Sequence, residues 1–281
     1  MNAPHEMLRH ERIEAVLALA APRLSATERP QVEAVARACF EHLDADDLAA
    51  RSPEDLLGAL LSLWQFAAER RPGSARLRVF SPTVAEQGWA SRHTVIEVVN
   101  DDMPFLVDTL TMELNRQGLT LQLIVHPVLV VQRDAAGRLQ SLRALHADDD
   151  AGGLHESWMH VEVDRLVDAQ QRAALAAGLE HVLGDVRAAV HDWQPMRQRL
   201  MEAVAELEQA PPTLPAALAA ESRAFLQWLA DDHMTLLGYR RHDLVVENGE
   251  DLLRLVPGSA ARRATAATLS RSSGISSTRA L

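Results

Sequence analysis

A short polar stretch follows a strongly apolar one in the sequence TVIEVVNDDMPFLV, which covers residues 94–107. The change falls where a strand would pass into a helix, with Pro104 just beyond it. Free amides at a helix N-terminus attract a carboxylate, and nearby aspartates attract an amino group, so these residue types predict amino-acid binding. Alternatively, Asp101 or Asp102 only caps the helix, with Pro104 in its first turn. The candidate ligand-binding residues are Asn100, Asp101, Asp102, Met103 and Phe105.

A second group of ionisable residues lies shortly after residue 145. It combines imidazoles with carboxylates, which are zinc ligands and also the acid–base groups of hydrolases. Its spacing matches no closed ligand pattern, and on one strand His155 and His160 would point to opposite faces. We therefore predict no metal site, and a solvated acidic turn before a strand is the other interpretation. The group comprises His146, Asp148, Asp149, Asp150, His155, Glu156 and His160.

The composition excludes several kinds of chemistry for this chain. All 28 basic residues are arginines, which excludes a lysine Schiff base, a lysine general base and a P-loop lysine. None of the 13 glycines occurs as GxG, and no serine lies in a GxSxG setting. The sequence therefore predicts neither a dinucleotide loop nor a nucleophile elbow. We predict no catalytic residue and no cofactor bound by this chain.

The charge and the apolar pattern restrict the partners and the location. A net charge of −11, from 39 acidic and 28 basic residues, argues against nucleic acid or an anionic membrane as the main partner. No stretch approaches the roughly 18 apolar residues of a membrane span, and acidic residues interrupt the first apolar patch. The single cysteine, Cys39, lies in an apolar helical pattern, which is typical of a buried thiol in a cytoplasmic protein.

Helices are predicted for the first part of the chain, residues 1–72. Ser52 is a suitable N-cap, and Pro53 suits the first helical position after it. Leucines then recur at helical spacing until RRPGS ends the pattern. We interpret this segment as a packing module without chemistry of its own.

Strands and helices alternate over residues 75–193. A strand at Thr94–Val99 precedes a helix at Pro104–Gln117, and then a long strand is bent at Pro127. A hairpin leads into a weaker strand near Leu139–Leu145.

The alternating segment ESWMHVEVD predicts one more strand, with Trp158, His160 and Glu162 on an outward face, before a long helix that reaches Trp193. This order of elements predicts an α+β sandwich of the ferredoxin-like kind.

The remaining residues predict a linker, a second unit and a tail. Residues 194–215 are helix and proline-rich linker, and residues 216–256 are the start of a truncated second α+β unit. That unit has a helix at 218–229 and strands at 234–246 and 252–256. Residues 257–281 contain four arginines and no acidic residue, so we expect a disordered tail that is not the authentic continuation of the protein.

The polar strand end, the Asp-x-Pro and the helix after it resemble the ACT regulatory domain, which binds amino acids at that loop, often at a subunit interface. Several longer motifs resemble, in order, the N-terminal region of the large bacterial NAD-specific glutamate dehydrogenases, over roughly residues 30–256. They are TVIEVVNDDMPFLVDTLTMELNRQGL, IVHPVLVVQRDAAGRL, ESWMHVEVDR, VLGDVRAAVHDW and FLQWLADDHMTLLGYRRHDL.

The resemblance implies a part of an enzyme that oxidatively deaminates L-glutamate to 2-oxoglutarate and ammonia with NAD. In that family the ACT-like region regulates or organises a homo-oligomer, with an amino acid as effector, and a distant region with catalytic lysines performs the reaction. This chain alone is therefore expected to be inactive. Ligand-binding ACT domains commonly have glycine after the loop proline, where this chain has Phe105, whose bulk would fill the pocket.

Two other functions stay open at this point. One is a stand-alone ACT-like protein that senses amino acids through the residues after the apolar strand. The other is a small metal hydrolase that uses the histidines and carboxylates after residue 145.

Overall fold

The structure, a computed structural model, describes residues 3–41, 43–145, 153–209, 214–247 and 250–256. The chain divides into two compact units, Met1–Leu183 and Gly184–Leu281, and the boundary between them falls within one long helix. The finer division into a helical segment, an ACT-like domain, a linker and a second domain stays a prediction.

Four helices begin the N-terminal unit, as predicted. They are α1 (Ala3–Ala20), α2 (Arg29–Phe40), α3 (Ala45–Ala49) and α4 (Pro53–Ala67), with a 3-10 turn at Ala21–Arg23. Ser52 caps α4 as predicted, because its Oγ accepts the N–H of Asp55 at 3.1 Å. The apolar faces of these helices share one core. Cys39 is buried in that core, and burial raises the pKa of its thiol to about 12.

An antiparallel sheet follows the helices. Its strands are β1 (Arg76–Phe80), β2 (Thr94–Asp101), β3 (Leu121–Val125), β4 (Val128–Arg133), β5 (Leu139–Ala144) and β6 (Leu154–Val163), and the short α5 (Val84–Gln87) precedes β2. The order is β1-β2-β6-β4-β5, and β3 also pairs with β6. β3 and β4 pair with successive parts of β6 and are separated only by His126 and Pro127. The predicted bend at the proline is confirmed.

Both faces of the two central strands, β2 and β6, are buried. The prediction that Trp158, His160 and Glu162 face outward is wrong, because each is at most 5% exposed. Val99 and Trp158 belong to the same apolar core as the N-terminal helices, so those helices cover this face of the sheet. We call it the helix-facing side.

A second helical layer comes from α6 (Leu106–Arg116) and from the first part of α7 (Ala169–Glu208). Because side chains alternate along a strand, the neighbours of the helix-facing residues point to the other side of the sheet. They are buried, as are leucines of α6 and α7; the set includes Ile96, Val98, Met159, Val161, Leu110, Leu114, Leu175 and Leu179. The predicted α+β fold class is confirmed.

The C-terminal unit contains the rest of α7, α8 (Ala216–Trp228), a π-helical turn at Leu229–His233 and a hairpin of β7 (His242–Glu247) with β8 (Glu250–Leu255). α7 runs through Pro195 without ending. The strand predicted from residue 234 begins only at His242, which corrects that prediction. The predicted tail, residues 257–281, and linker residues 210–213 lie outside the described residues. Within the described ranges, no helix combines the length and apolar character needed to cross a membrane.

Candidate functional site

Four ionisable side chains lie buried on the helix-facing side of the sheet. Glu97 is on β2, and Glu156, His160 and Glu162 are on β6; none is more than 5% exposed. The strand register places Glu97 opposite His160 and Asp101 opposite Glu156. An ionised group without solvent needs a charged or hydrogen-bonding partner, so each of these residues raises the question of what pairs with it.

Glu156 is paired with two arginines. Arg70, just beyond α4, donates from Nε and Nη2 to Oε1 at 3.0 and 2.7 Å. Arg133, at the end of β4, donates from Nε to Oε1 at 2.6 Å and from Nη2 to Oε2 at 2.7 Å. The indole N–H of Trp158 donates to Oε2 at 2.9 Å. Burial alone would raise the pKa of Glu156, but these donors outweigh it and hold the pKa below its ordinary value.

The same arginines attach the end of α4 to the β4–β5 hairpin. Arg133 Nη2 also donates to the carbonyl of Ala67, in the last turn of α4, at 2.9 Å. The backbone N–H of Arg70 donates to the carbonyl of Gly137 at 2.9 Å. Gly137 has φ +84°, and a Cβ there would lie 2.6 Å from the carbonyl oxygen of Arg70, so only glycine allows this approach.

A second set of ion pairs surrounds His160. Arg78 donates from Nε to Glu97 Oε2 at 2.8 Å, and Ser62 Oγ donates to Glu97 Oε1 at 2.7 Å. Arg51 donates from Nη2 to Glu162 Oε2 at 2.8 Å. His160 lies between the two carboxylates, with Nε2 3.5 Å from Glu162 Oε1 and Nδ1 3.9 Å from Glu97 Oε1.

The pKa values of this second set follow from that arrangement. Burial lowers the pKa of His160, but the carboxylates of Glu162 and Glu97 outweigh it and raise the pKa to about 9. Burial raises the pKa of Glu162, but His160 and Arg51 outweigh it and lower the pKa to about 2. His160 is therefore an imidazolium at neutral pH, and Glu162 is a carboxylate.

The sequence interpretation missed these pairings, although it named Glu156 and His160 as possible metal ligands. The N-terminal helices were predicted to carry no chemistry, yet Arg51, Ser62 and Arg70 reach the sheet from the helical layer. A signal was present: Glu97 interrupts the apolar run TVIEVV, and a charge within a buried strand needs a partner. The carboxylates here are already paired, which suits holding the helices on the sheet rather than acid–base catalysis.

Two of the predicted binding residues lie within β2, and the other three lie between β2 and α6. Asn100 and Asp101 belong to β2 and not to a loop, and Asn100 is fully buried. Asp101 Oδ1 accepts from Arg70 Nη2 at 2.7 Å, and its Oδ2 accepts from the N–H of Gly73 at 3.0 Å. Asp101 is therefore part of the pairing that holds the helical layer.

The helix start differs from the prediction at two points. α6 begins at Leu106, so Pro104 precedes the helix and does not lie in its first turn. Neither Asp101 nor Asp102 is the N-cap: Asp102 Oδ1 accepts from Ser157 Oγ at 2.6 Å, and Phe105 takes the N-cap position without a side-chain cap. Asp102 remains exposed and Met103 half-buried.

Phe105 has a left-handed backbone, with φ +71° and ψ +3°. Glycine adopts this conformation without strain, whereas a bulky residue does not. The backbone thus explains why glycine suits this position. The side chain of Phe105 is 43% exposed.

His126, which the sequence interpretation did not single out, lies between β3 and β4. Its Nε2 is buried and has no hydrogen-bond partner in the part of the chain that is described. Burial lowers the pKa of His126, and the negative charge of Asp102 opposes that change.

The histidines and carboxylates after residue 145, weighed as possible metal ligands, are only partly within the described residues. His146 and Asp148–Asp150 lie outside the described residues. His155 is exposed, while Glu156 and His160 are in the ion pairs described above. Among residues whose placement is described, no group of three His, Cys, Asp or Glu side chains could hold a metal ion.

Comparison with known proteins identifies the family. A sequence profile described as the ACT1 domain of glutamate dehydrogenase matches residues 35–179. The chain belongs to this family. The match runs from α2 into α7 and so includes most of the helical layer together with the sheet and the β2–α6 junction. The family resemblance predicted from the motifs is confirmed.

Three curated relatives carry the name NAD-specific glutamate dehydrogenase. The protein of Halomonas elongata is 39% identical over 238 residues, 84% of this chain and 15% of the relative. That of Pseudomonas aeruginosa is 36% identical over 220 residues, 78% of this chain and 13% of the relative. That of Mycobacterium tuberculosis is 31% identical over 147 residues, which are 52% of this chain and 9% of the relative. The matched part of this chain spans no more than about a sixth of these relatives.

We expect Phe105→Gly to be more stable than Phe105→Ala by about 1 kcal/mol, because both remove the ring but only alanine keeps the left-handed strain. Urea unfolding of the two variants, followed by circular dichroism, measures the difference. Equal stability would show that the backbone at residue 105 is not strained.

We expect His160 to titrate with a midpoint near pH 9. Since its pKa is raised on folding, its stabilising contribution is complete below about pH 6.5 and is lost as the pH rises through about 9. NMR titration of the ring C–H signals measures the midpoint, and the spectrum of His160→Gln assigns the signal. A midpoint at or below about 6.5 would contradict the pairing with Glu97 and Glu162.

Proposed function

We propose that this chain is the N-terminal regulatory and structural part of an NAD-dependent glutamate dehydrogenase. The complete enzyme would convert L-glutamate and NAD to 2-oxoglutarate, ammonia and NADH. The observation that carries the proposal is the match to the glutamate dehydrogenase ACT1 domain over residues 35–179. The relatives named NAD-specific glutamate dehydrogenase support NAD as the cofactor of the complete enzyme.

The ion pairs support a structural contribution from this part. A dehydrogenase needs ionisable groups that are free to exchange protons with its substrate. Here Glu97, Glu156 and Glu162 each accept from an arginine, and His160 lies between two of these carboxylates. Such groups hold a structure and leave the chemistry to another region, so the chain alone is expected to be inactive.

The geometry of the β2–α6 junction supports an amino-acid effector site there, with fewer binding residues than the sequence predicted. Asn100 is buried in β2 and Asp101 is committed to Arg70, so Asp102 is the carboxylate left for a ligand ammonium. The first intrahelical bond of α6 runs from the N–H of Thr109 to the carbonyl of Phe105, and the amides before it suit a ligand carboxylate. Met103 and Phe105 would flank the bound amino acid.

The junction also offers a route for regulation. Asp102 is adjacent to Asp101, which holds Arg70 and through it the end of α4. A ligand that moves this strand end would therefore change the seating of the helical layer on the sheet.

Assembly and location follow the family. We propose that the complete enzyme is a cytoplasmic homo-oligomer.

Two measurements on the purified chain test this proposal. With L-glutamate and NAD, we expect no NADH absorbance above that of a sample without protein; sustained NADH formation would contradict an inactive regulatory part. Calorimetric titration with each of the common amino acids tests the effector site. We expect at least one to bind, and Asp102→Asn to weaken that binding at least about tenfold, because the ammonium loses its charged partner.

The matched control is Asp46→Asn, which removes the same charge from an exposed position on α3. It should bind as the parent does. Binding of no amino acid, or equal binding by Asp102→Asn and the parent, would refute an effector site at the junction.

A further inference from the structure

The N-terminal unit encloses a cavity of about 310 Å³ between the helices and the helix-facing side of the sheet. This volume is at the lower end of the range for small-molecule sites. The cavity lies near the start of β2, whereas the junction with α6 lies at its end. From Thr94 to Asp101 an extended strand spans roughly 23 Å, so the two places are separate.

The wall of the cavity has an apolar part and a polar part of nearly equal extent, and the apolar part is continuous with the helical core. α4 and β3 provide aliphatic side chains, and an indole closes one side. Gly58 on α4 lets that indole approach, because a Cβ there would lie 2.3 Å from the Cβ of Trp89. The wall is suited to an apolar body of several carbon atoms. Its members include Leu56, Leu60, Leu63, Leu123, Val125 and Trp89.

The anionic side chains that line the cavity already have partners. Glu162 accepts from Arg51 at 2.8 Å, and Asp47 lies 3.7 Å from the same guanidinium. Asp55 accepts from Ser52 Oγ at 2.8 Å. A ligand does not need to bring a positive charge to this cavity.

One cationic side chain has no such partner. Arg92 lines the cavity and is exposed, and its guanidinium makes no hydrogen bond or ion pair within the described residues. An arginine fork binds a carboxylate through two parallel hydrogen bonds. An unpaired arginine at the rim of an apolar cavity therefore suits a ligand with one negative charge at the end of an apolar body.

We propose that this cavity binds a small carboxylate with an apolar body, whose carboxylate pairs with Arg92 and whose body lies against the leucines of α4. The site is distinct from the effector site proposed at the β2–α6 junction and does not depend on it.

The test uses 4-methylpentanoate as the probe, with the full-length ¹⁵N-labelled chain followed by NMR. We expect saturable shifts of the Trp89 indole N–H, assigned by its absence in Trp89→Phe. The neutral 4-methylpentanamide has the same body, and we expect it to bind at least about fivefold more weakly because the ion pair is lost. Arg92→Gln should weaken binding of 4-methylpentanoate by a similar factor.

Matched variants control for charge, space and site. Arg23→Gln removes the same charge from an exposed residue that does not line the cavity, and it should bind as the parent does. Ala59→Leu places an isobutyl group on the wall and should abolish binding. Asp102→Asn should leave binding unchanged, so failure of the effector site and failure of this site appear separately. No saturable shift at Trp89, equal binding of acid and amide, or unchanged binding by Arg92→Gln would each overturn the proposal.

Discussion

Glu156 accepts hydrogen bonds from Arg70, Arg133 and Trp158 at a position that solvent does not reach. An ionised carboxylate loses several kcal/mol of hydration when it is buried, and only partners of opposite charge offset that loss. Because Arg70 lies just beyond α4, Glu156 has both of its arginine partners only when the helical layer is seated on the sheet. Farther along the same face, Ser62 of α4 donates to Glu97 and Arg51 donates to Glu162, which repeats the constraint. Buried charge thus sets the position of the helices, while apolar contact supplies most of the attraction.

The two ends of β2 differ in what this arrangement leaves accessible. At the C-terminal end of β2, Asp101 pairs with Arg70, which leaves Asp102 and the start of α6 as the accessible part of the junction. At its beginning, the helices and the sheet leave a cavity beside Glu162. The absence of lysine fits this picture, since the planar arginine fork can bond one carboxylate through two nitrogens.

The sequence predicts the elements well and their environment less well. Apolar periodicity gives the helices, the central strands and the bend at Pro127, because these depend on neighbours close in the chain. It fails for the outward face of β6, because the partners of its side chains lie far away in the chain: Arg51, which pairs with Glu162, is 111 residues before it. It also fails at the start of α6, because no local pattern predicts that Phe105 rather than a residue near it takes the left-handed conformation.

The role of Glu156 is tested most directly by amide hydrogen exchange of Glu156→Gln beside the parent chain. Two arginines would lose their charged partner, so we expect the free energy of opening to fall by about 3 kcal/mol or more, equally for amides of α4 and β6. Glu33→Gln, which removes one partner of an exposed ion pair with Arg37, should change it by less than about 1 kcal/mol. If Glu156→Gln matches this control, or if only α4 loses protection while β6 does not, then buried charge does not hold the helices and the sheet together as one unit.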